Sequence, residues 1–285
     1  MGFAVSIDGR VGSPEEVTLK ITDNGFVFGD SAYETLRTYG GRPFELDRHL
    51  LRLRRTIGLL GFGLSTSDDE MKARIDACLS FASNAESYLR VIVTRGVGDM
   101  SYRFERIPAP TIAMYVKPLE PQNVALYEKG ARAIIASIRR NPIEALNPAM
   151  KTSNLLNNAL ATREAYAKGA FEAILLNTRG EVAEAAGSNV FIVTNGLLLT
   201  PPLSCGLLAG ITREITLEIA AASGVPGEER VLTPGDLKAA DELFITSSLK
   251  ELAPVVTLDG AAVGDGKPGP VTKALLAAYR GRIGR

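Results

Sequence analysis

The residues best suited to chemistry gather in one stretch, 147–191. At its head stands Lys151, in the run Asn147-Pro-Ala-Met-Lys151-Thr-Ser-Asn154-Leu-Leu-Asn157-Asn158. Arg139-Arg-Asn-Pro precedes it, and Gly180-Glu-Val-Ala-Glu184-Ala-Ala-Gly187-Ser188-Asn189-Val-Phe191 follows. A lysine at an arbitrary position is most often a solvated surface charge. Lys151, however, follows a proline-punctuated loop and precedes a helix start that Ser153 is placed to cap. The positive end of a helix dipole disfavours an ammonium and leaves more free amine, the form that a Schiff-base lysine requires.

Other chemistries are harder to build. The chain has a single histidine, so a Ser-His-Asp triad would have to use His49, and a histidine-rich metal site has no ligands. Gly-x-Ser-x-Gly, Walker-type and Gly-x-Gly-x-x-Gly motifs are all missing. An enzyme of this composition borrows its chemistry from an organic cofactor, with a non-catalytic binding domain as the alternative. Lys+Arg and Asp+Glu both number 32, so no net charge draws the chain to nucleic acid or membrane. Cys78 and Cys205 follow no metal or redox spacing, no signal-like segment opens the sequence, and no apolar run is long enough to span a bilayer. The cytoplasm is the expected location. With 285 residues, 46% of them hydrophobic, the chain can fill one large core or two ordinary ones.

The elements that position these residues can be read in order. Two strands are expected around Asp8-Gly9, the second over Val17–Thr22. Ser31–Tyr39 reads as a strand closed by Gly40-Gly41 into a hairpin with Pro43-Phe44. Alternation puts Tyr33, Thr35, Arg37 and Tyr39 on one face, which is either a solvated face or a binding surface. Asp47 is placed to cap a helix carrying Leu50, Leu53, Ile57 and Leu60, with His49, Arg52 and Thr56 on a neighbouring stripe and Gly61 as its stop. His49 reads as structural. Ser67-Asp-Asp-Glu70 is a capping box for the next helix. Tyr88–Arg95 is a strand with Leu89, Val91 and Val93 facing the core, which leaves Tyr88 and Arg90 opposite; an arginine inside a sheet needs an anionic partner. After a loop over Gly96–Pro110 and a strand at Thr111–Val116, Lys117-Pro-Leu-Glu-Pro-Gln is the linker candidate. The domains expected are 1–116 and 127–285, joined by 117–126.

In the second half a strand is expected over Ala131–Arg139 and a helix from Ser153 to about Lys168, followed by strands at Phe171–Leu176, Asn189–Val193 and Leu197–Thr200. Gly210-Ile-Thr212 at a helix start is a plausible phosphate cradle. A strand then ends in the hydroxyls of Thr246, Ser247 and Ser248, and a final helix starts near Val271.

Taken together, Gly29-Asp-Ser-Ala-Tyr-Glu34, His49-Leu-Leu-Arg52-Leu, Lys151-Thr-Ser-Asn-Leu-Leu, Glu184-Ala-Ala-Gly-Ser-Asn189-Val-Phe, Gly210-Ile-Thr-Arg213 and Thr246-Ser-Ser resemble the class IV, fold type IV pyridoxal-phosphate aminotransferases. The resemblance extends over nearly the whole chain. It implies an α+β fold of two α/β domains, a small N-terminal one and a larger C-terminal pseudo-barrel, with pyridoxal 5'-phosphate in the cleft between them and a homodimer whose partner loop helps to close each site. Lys151 resembles the lysine that holds the cofactor as an aldimine and moves the substrate proton, and Glu184 the partner of the pyridine nitrogen. Arg52, Ile211, Thr212 and Ser248 resemble the phosphate ligands, with Ser247 a neighbour, Asn189 a polar residue of the cofactor site and Leu208 the apolar residue on the ring. Tyr33, Thr35, Arg37, Tyr88 and Arg90 are the expected substrate face, the two arginines holding a carboxylate. Tyr33-Glu34-Thr35, Leu155 and Ser247-Ser-Leu249 depart from the branched-chain subgroup; Tyr33-Glu34-Thr35 with Thr246-Ser-Ser leans towards the lyases, and Asn154-Leu-Leu is closer to the D-amino-acid subgroup. Against the latter, the loop Val97-Gly-Asp-Met-Ser-Tyr102 lacks the Arg-x-His of its carboxylate trap. The reading reached is transamination between an apolar, branched-chain L-amino acid and 2-oxoglutarate. The alternatives are 4-amino-4-deoxychorismate lyase and a D-amino-acid or amine transaminase.

Overall fold

A computed structural model of the chain describes residues 2–99, 101–103, 109–121 and 123–284. The chain forms two compact units, Met1–Pro121 with Met150–Asn154, and Gln122–Ala149 with Leu155–Arg285. The segment expected as a linker, 117–126, is thus divided. Lys117 and Pro118 finish a strand, a helix has begun by Val124, and Gln122 lies outside the described residues. Residues 150–154, expected within the C-terminal domain, belong to the first unit. Of the loop expected over Gly96–Pro110, Met100 and residues 104–108 lie outside the described residues.

The first unit opens with β1 (Ala4–Ile7) and β2 (Arg10–Gly12), joined through Asp8 and Gly9, both at positive φ. The second strand is therefore earlier than expected. Val17–Thr22 forms none, because the amides of Glu16 and Val17 turn back to the Ser13 carbonyl and Asp23 then caps the short helix α1 (Asn24–Phe28). β3 (Ser31–Tyr39), β4 (Arg42–Pro43), α2 (Leu46–Leu60), α3 (Asp68–Ala82), β5 (Ser87–Thr94) and β6 (Thr111–Pro118) follow. The strands form an antiparallel sheet in the order β2-β1-β6-β5-β3-β4. Leu36, Leu89, Val91, Val93, Met114 and Val116 meet Leu50, Leu53, Ile57, Met71 and Ile75 of the two helices on one face. The capping box at Ser67 and Glu70 is present. Asp47 does not cap α2. The cap is Glu45, in a left-handed conformation, and the Asp47 carboxylate pairs instead with Lys72 Nζ at 2.7 Å.

The second unit runs α4 (Val124–Lys129), β7 (Ala131–Ile135), α5 (Leu156–Ala167), β8 (Glu172–Leu176), β9 (Val182–Ala185), β10 (Asn189–Thr194), β11 (Leu197–Thr200), α6 (Ile211–Ala222), β12 (Gly227–Glu229), α7 (Pro234–Ala239), β13 (Glu242–Ser247), β14 (Glu251–Leu258), β15 (Ala261–Ala262) and α8 (Pro270–Arg282). Its sheet has the order β12-β11-β10-β13-β14-β7-β8-β9, with β15 beside β14. β9 and β10 stand five places apart in that order, yet only residues 186–188 join them. Five strand spacings on a flat sheet are about 24 Å, whereas four peptide steps reach about 14 Å. The sheet must curl, and it encloses Ile174, Val182, Val190, Ile192, Leu243 and Ile245 as a core.

α5 starts three residues later than expected, and Ser153 does not cap it. The Ser153 amide donates to the Ser31 carbonyl at 3.1 Å, and its hydroxyl accepts from Ser31 Oγ at 2.6 Å. Ser153→Ala is accordingly expected to speed amide exchange at Tyr33 and Ser153 and to leave the first turns of α5 unchanged. Faster exchange confined to α5 would restore the capping assignment.

Candidate active site

In the first unit, residues 151–153 lie along the edge of β3. Tyr33 N donates to the Lys151 carbonyl at 2.9 Å, Ala32 and Thr152 form an antiparallel bridge, and Lys151 N donates to Thr56 Oγ1 at 3.3 Å. Asn154 Nδ2 reaches the Gly29 carbonyl at 3.0 Å. Lys151 therefore precedes the N-cap of α5, Leu155, by four residues and is not part of that helix's first turn. What surrounds its amine instead is aromatic: Nζ lies 4.5 Å from the centroid of the Tyr33 ring. The Arg90 guanidinium carbon lies 3.9 Å from the same centroid.

The register of the sheet assembles the expected substrate residues. Thr35 pairs with Arg90 and Arg37 with Tyr88 across β3 and β5, and Arg90 pairs with Tyr115 across β5 and β6. Alternation turns Tyr33, Thr35, Arg37, Tyr88, Arg90 and Tyr115 away from the helices. Arg90 Nε is buried without a hydrogen-bond partner among the described residues. Arg37 stacks on Tyr39 at 4.1 Å. The Tyr88 and Tyr115 hydroxyls are 3.5 Å apart. Burial and the bond with Tyr88 push the Tyr115 phenol up to about 12. Burial acts the same way on Tyr88, but its bonds with Tyr115 and Thr35 and the charge of Arg90 outweigh it and hold Tyr88 below the usual range.

On the opposite face of β3, the Glu34 carboxylate is 1% exposed. Arg52 grips it with two nitrogens, Nε at 2.8 Å and Nη2 at 2.7 Å, and His49 Nδ1 lies 2.7 Å from Oε2. A carboxylate only accepts, so Nδ1 carries the proton. Burial raises Glu34, but the charge and hydrogen bonds of Arg52 and His49 outweigh it and bring the carboxyl down to about 2. Burial lowers His49, the Glu34 carboxylate opposes that, and the charges of Arg52 and Lys151 add to the lowering. His49 is a structural histidine here, orienting Glu34.

In the second unit, Glu184 on β9 accepts from Arg140 Nε at 2.7 Å and from the Leu208 amide at 3.1 Å, and Asn189 Nδ2 donates to the Leu208 carbonyl at 2.9 Å. The loop 206–210 is thus strung between β9 and β10. A Cβ at Gly210 would run into Asn189 Oδ1, so a larger residue there would have to displace the Asn189 amide from its bond to the Leu208 carbonyl. Gly210 begins α6 without a side-chain cap, which leaves the first-turn N–H groups at Ile211 and Thr212 without that partner. Asn189 pairs with Thr246 across β10 and β13, and Thr246 Oγ1 is buried without a hydrogen-bond partner among the described residues. Ser247 and Ser248 come next in the chain. An uncapped start to a 12-residue helix beside a buried, unanswered hydroxyl suits an anion such as a phosphate, and a carboxylate held by an arginine suits a protonated ring nitrogen.

Three residues of this arrangement escaped the sequence reading. Arg140 was visible in Arg139-Arg-Asn-Pro as a charge next to an apolar strand. Tyr115 occupies the non-core phase of a strand whose core phase is Ile112, Met114 and Val116. Glu34 sits in the core phase of β3, where a charge calls for partners such as His49 and Arg52 on one helix face.

The amino-transferase class IV family model matches residues 31–258. A Methanocaldococcus jannaschii protein assigned as a branched-chain-amino-acid aminotransferase is 36% identical over 276 residues, 97% of this chain and 95% of its own. The D-alanine aminotransferase of Bacillus licheniformis is 33% identical over 279 residues, 98% of this chain and 96% of its own. Among solved structures, the T.th. branched-chain amino acid aminotransferase with pyridoxamine 5'-phosphate superposes with a TM-score of 0.94 at 27% identity, over 99% of this chain and 94% of that one. The curled sheet, the α+β architecture and the motifs define a fold type IV enzyme. The chain belongs to the class IV aminotransferases, a pyridoxal-phosphate-dependent family. Among the described residues, no helix is long and apolar enough to cross a membrane and no group of His, Cys, Asp or Glu is arranged to hold a metal ion.

Two buried groups with lowered values, His49 and Glu34, make the protein less stable as pH falls. Each has a folded value below its ordinary one, so its contribution is complete above the ordinary value, 6.5 for His49 and 4.5 for Glu34, and is lost as pH falls through the folded value. The urea midpoint of the protein is expected to drop between about pH 7 and pH 5, and His49→Gln to flatten that drop while the decline below pH 4.5 remains. Parallel curves for the two proteins would remove His49 as the cause.

Proposed function

We propose that this aminotransferase carries an amino group between an apolar, branched-chain L-amino acid and 2-oxoglutarate, with pyridoxal 5'-phosphate as cofactor. The observation that carries the reading is the placement of the Lys151 amine and the Arg90 guanidinium on one ring, Tyr33: a nucleophilic amine and an anion-binding cation on the same side of one sheet. When bound, the cofactor supplies an electron sink for the carbanion left by loss of the α-proton.

The rest of the chemistry belongs to the chain. Lys151 Nζ would hold the cofactor and would move the substrate α-proton. Glu184, oriented by Arg140 and the Leu208 amide, holds the proton on the ring nitrogen. Asn189 and Leu208 line the ring. In the second unit the Ile211 and Thr212 amides and the Ser247 and Ser248 hydroxyls would bind the phosphate; in the first unit Arg52, which the motif resemblance gives the same role, is fixed in place by Glu34. Arg90, with Tyr88 and Thr35 beside it and Arg37 across from Tyr88, binds the substrate carboxylate, and the buried Nε gives it an energetic reason to do so. The relatives assigned to branched-chain substrates support this choice. A homodimer in the cytoplasm completes the proposal. A second reading, a D-amino-acid transaminase, is favoured by the 33% identity to a D-alanine aminotransferase. Thr35 keeps the lyase reading third.

Three measurements test it. Lys151→Ala is expected to abolish transamination and the cofactor's visible absorption band, and normal turnover in that variant would end the catalytic assignment. Glu184→Gln is expected to retain cofactor and lose turnover by orders of magnitude; full rescue by excess cofactor would mean that Glu184 serves binding alone. Arg90→Ala removes a charge-assisted bond of roughly 1.5 to 3 kcal/mol, so the Michaelis constant for L-leucine is expected to rise about 10- to 100-fold. Wild type that ignores L-leucine and turns over D-alanine, or that releases pyruvate from aminodeoxychorismate, would replace the branched-chain reading.

A further inference from the structure

Lys250 takes no part in the chemistry above. It sits in the turn between β13 and β14, directly after Ser247, Ser248 and Leu249. Its side chain reaches back across the sheet to β8. Nζ donates to Glu172 Oε2 at 2.7 Å and to Ser188 Oγ at 3.1 Å, and Ser188 Oγ donates to the same Glu172 oxygen at 3.2 Å. The Phe171 ring lies 5.5 Å from the ammonium, and a Cβ on Gly187 would sit 3.5 Å from it. Glu172 is 3% exposed, so its charge depends on these partners.

The backbone of the same turn is held as well. Lys250 N donates to Ser247 Oγ at 3.2 Å, Tyr127 Oη donates to the Lys250 carbonyl at 3.0 Å, and the next residue, Glu251, is left-handed at φ 53°. Because Ser247 Oγ accepts from Lys250, its own proton can be given to a further acceptor. Lys250 thus joins two segments far apart in sequence, the Gly187–Asn189 loop and the Thr246–Ser248 turn. Strand pairing brings these two together at Asn189 and Thr246, and the ammonium locks them one step beyond the last paired residues.

We propose that Lys250 is a positioning residue for the phosphate end of the cofactor site, holding the Ser247 and Ser248 hydroxyls in place through its bonds to Glu172 and Ser188. This rests on the reading that those hydroxyls bind the cofactor phosphate. A role transmitted through the phosphate turn has a signature that general loosening lacks: it affects a ligand that carries a phosphate and spares one that does not.

The test is titration of the full chain, freed of cofactor, with pyridoxal 5'-phosphate and separately with pyridoxal, followed by absorption. Lys250→Met is expected to raise the Kd for pyridoxal 5'-phosphate about 10-fold or more and to leave that for pyridoxal within about twofold. Lys250→Arg, which keeps the charge, is expected to recover most of the loss. If Lys250→Met does not fold, Ser188→Ala provides the same comparison, with an expected loss of about threefold for the phosphorylated ligand alone. Equal weakening of both ligands, or no weakening of either, overturns the proposal while the wild-type preference for the phosphorylated ligand stands. Wild type that binds both ligands equally would overturn the phosphate site itself, and the role of Lys250 with it.

Discussion

Between Ala185 and Asn189 the chain is too short to cross the flat width of its own sheet, and the curl this enforces organises the second unit. A flat arrangement would leave Glu184 and Asn189 at places far apart. In the curled sheet they stand at the two ends of one short loop, and both bond to the same residue, Leu208, one at its amide and the other at its carbonyl. Leu208 is therefore held at both its N–H and its C=O, and the chain leaves it for Gly210, where a side chain would have to displace that of Asn189. The start of α6 inherits its position from this sequence of constraints. Two hydrogen bonds and one steric exclusion relate the proposed partner of the ring nitrogen to the proposed phosphate cradle.

The first unit solves a different problem, that of putting several cations in one small sheet. β3 separates them by face. Arg52 lies on the helical side, where Glu34 compensates it in a buried setting. Arg90 and Lys151 lie on the other side, where both meet the Tyr33 ring. Aromatic rings offer a cation an attractive surface without neutralising it, so a cation held this way remains available to an anion that arrives later. Placing Glu34 on the Arg90 side would have satisfied the guanidinium internally and closed it to a carboxylate.

Much of this was legible in the residues, because strands and capped helices announce themselves by period and by turn chemistry. β3, β5, the β10–β11 hairpin and the Ser67 capping box all lie where alternation and capping rules put them. Glu184, Asn189 and Gly210-Ile211-Thr212 could be picked out as motifs, though the bonds that join them through Leu208 could not. Two of the failures share a cause: a local preference was overruled by a partner distant in sequence. Ser153 has the chemistry of a helix cap but bonds to Ser31, 122 residues away. Asp47 has the chemistry of a cap but pairs with Lys72. Val17–Thr22 has the composition of a strand but finds no neighbour to pair with, and a strand without a partner is not a strand. Arg140 appeared as one of two adjacent arginines, and only the fold distinguishes the one that is buried against Glu184.

The five residues Met150–Asn154 have a further consequence for the sheet they border. Their bonds cover the Ser31–Tyr33 end of β3's edge, which β4, paired only at Thr38 and Tyr39, does not reach. Without that strip the amides and carbonyls along this part of the edge would be left to template another strand. The strip lies about thirty residues further along the chain than the end of the unit's main segment at Pro121. The segment that presents Lys151 is thus also one that pairs with an otherwise open part of a strand edge, the kind of edge that unprotected strands offer to other chains.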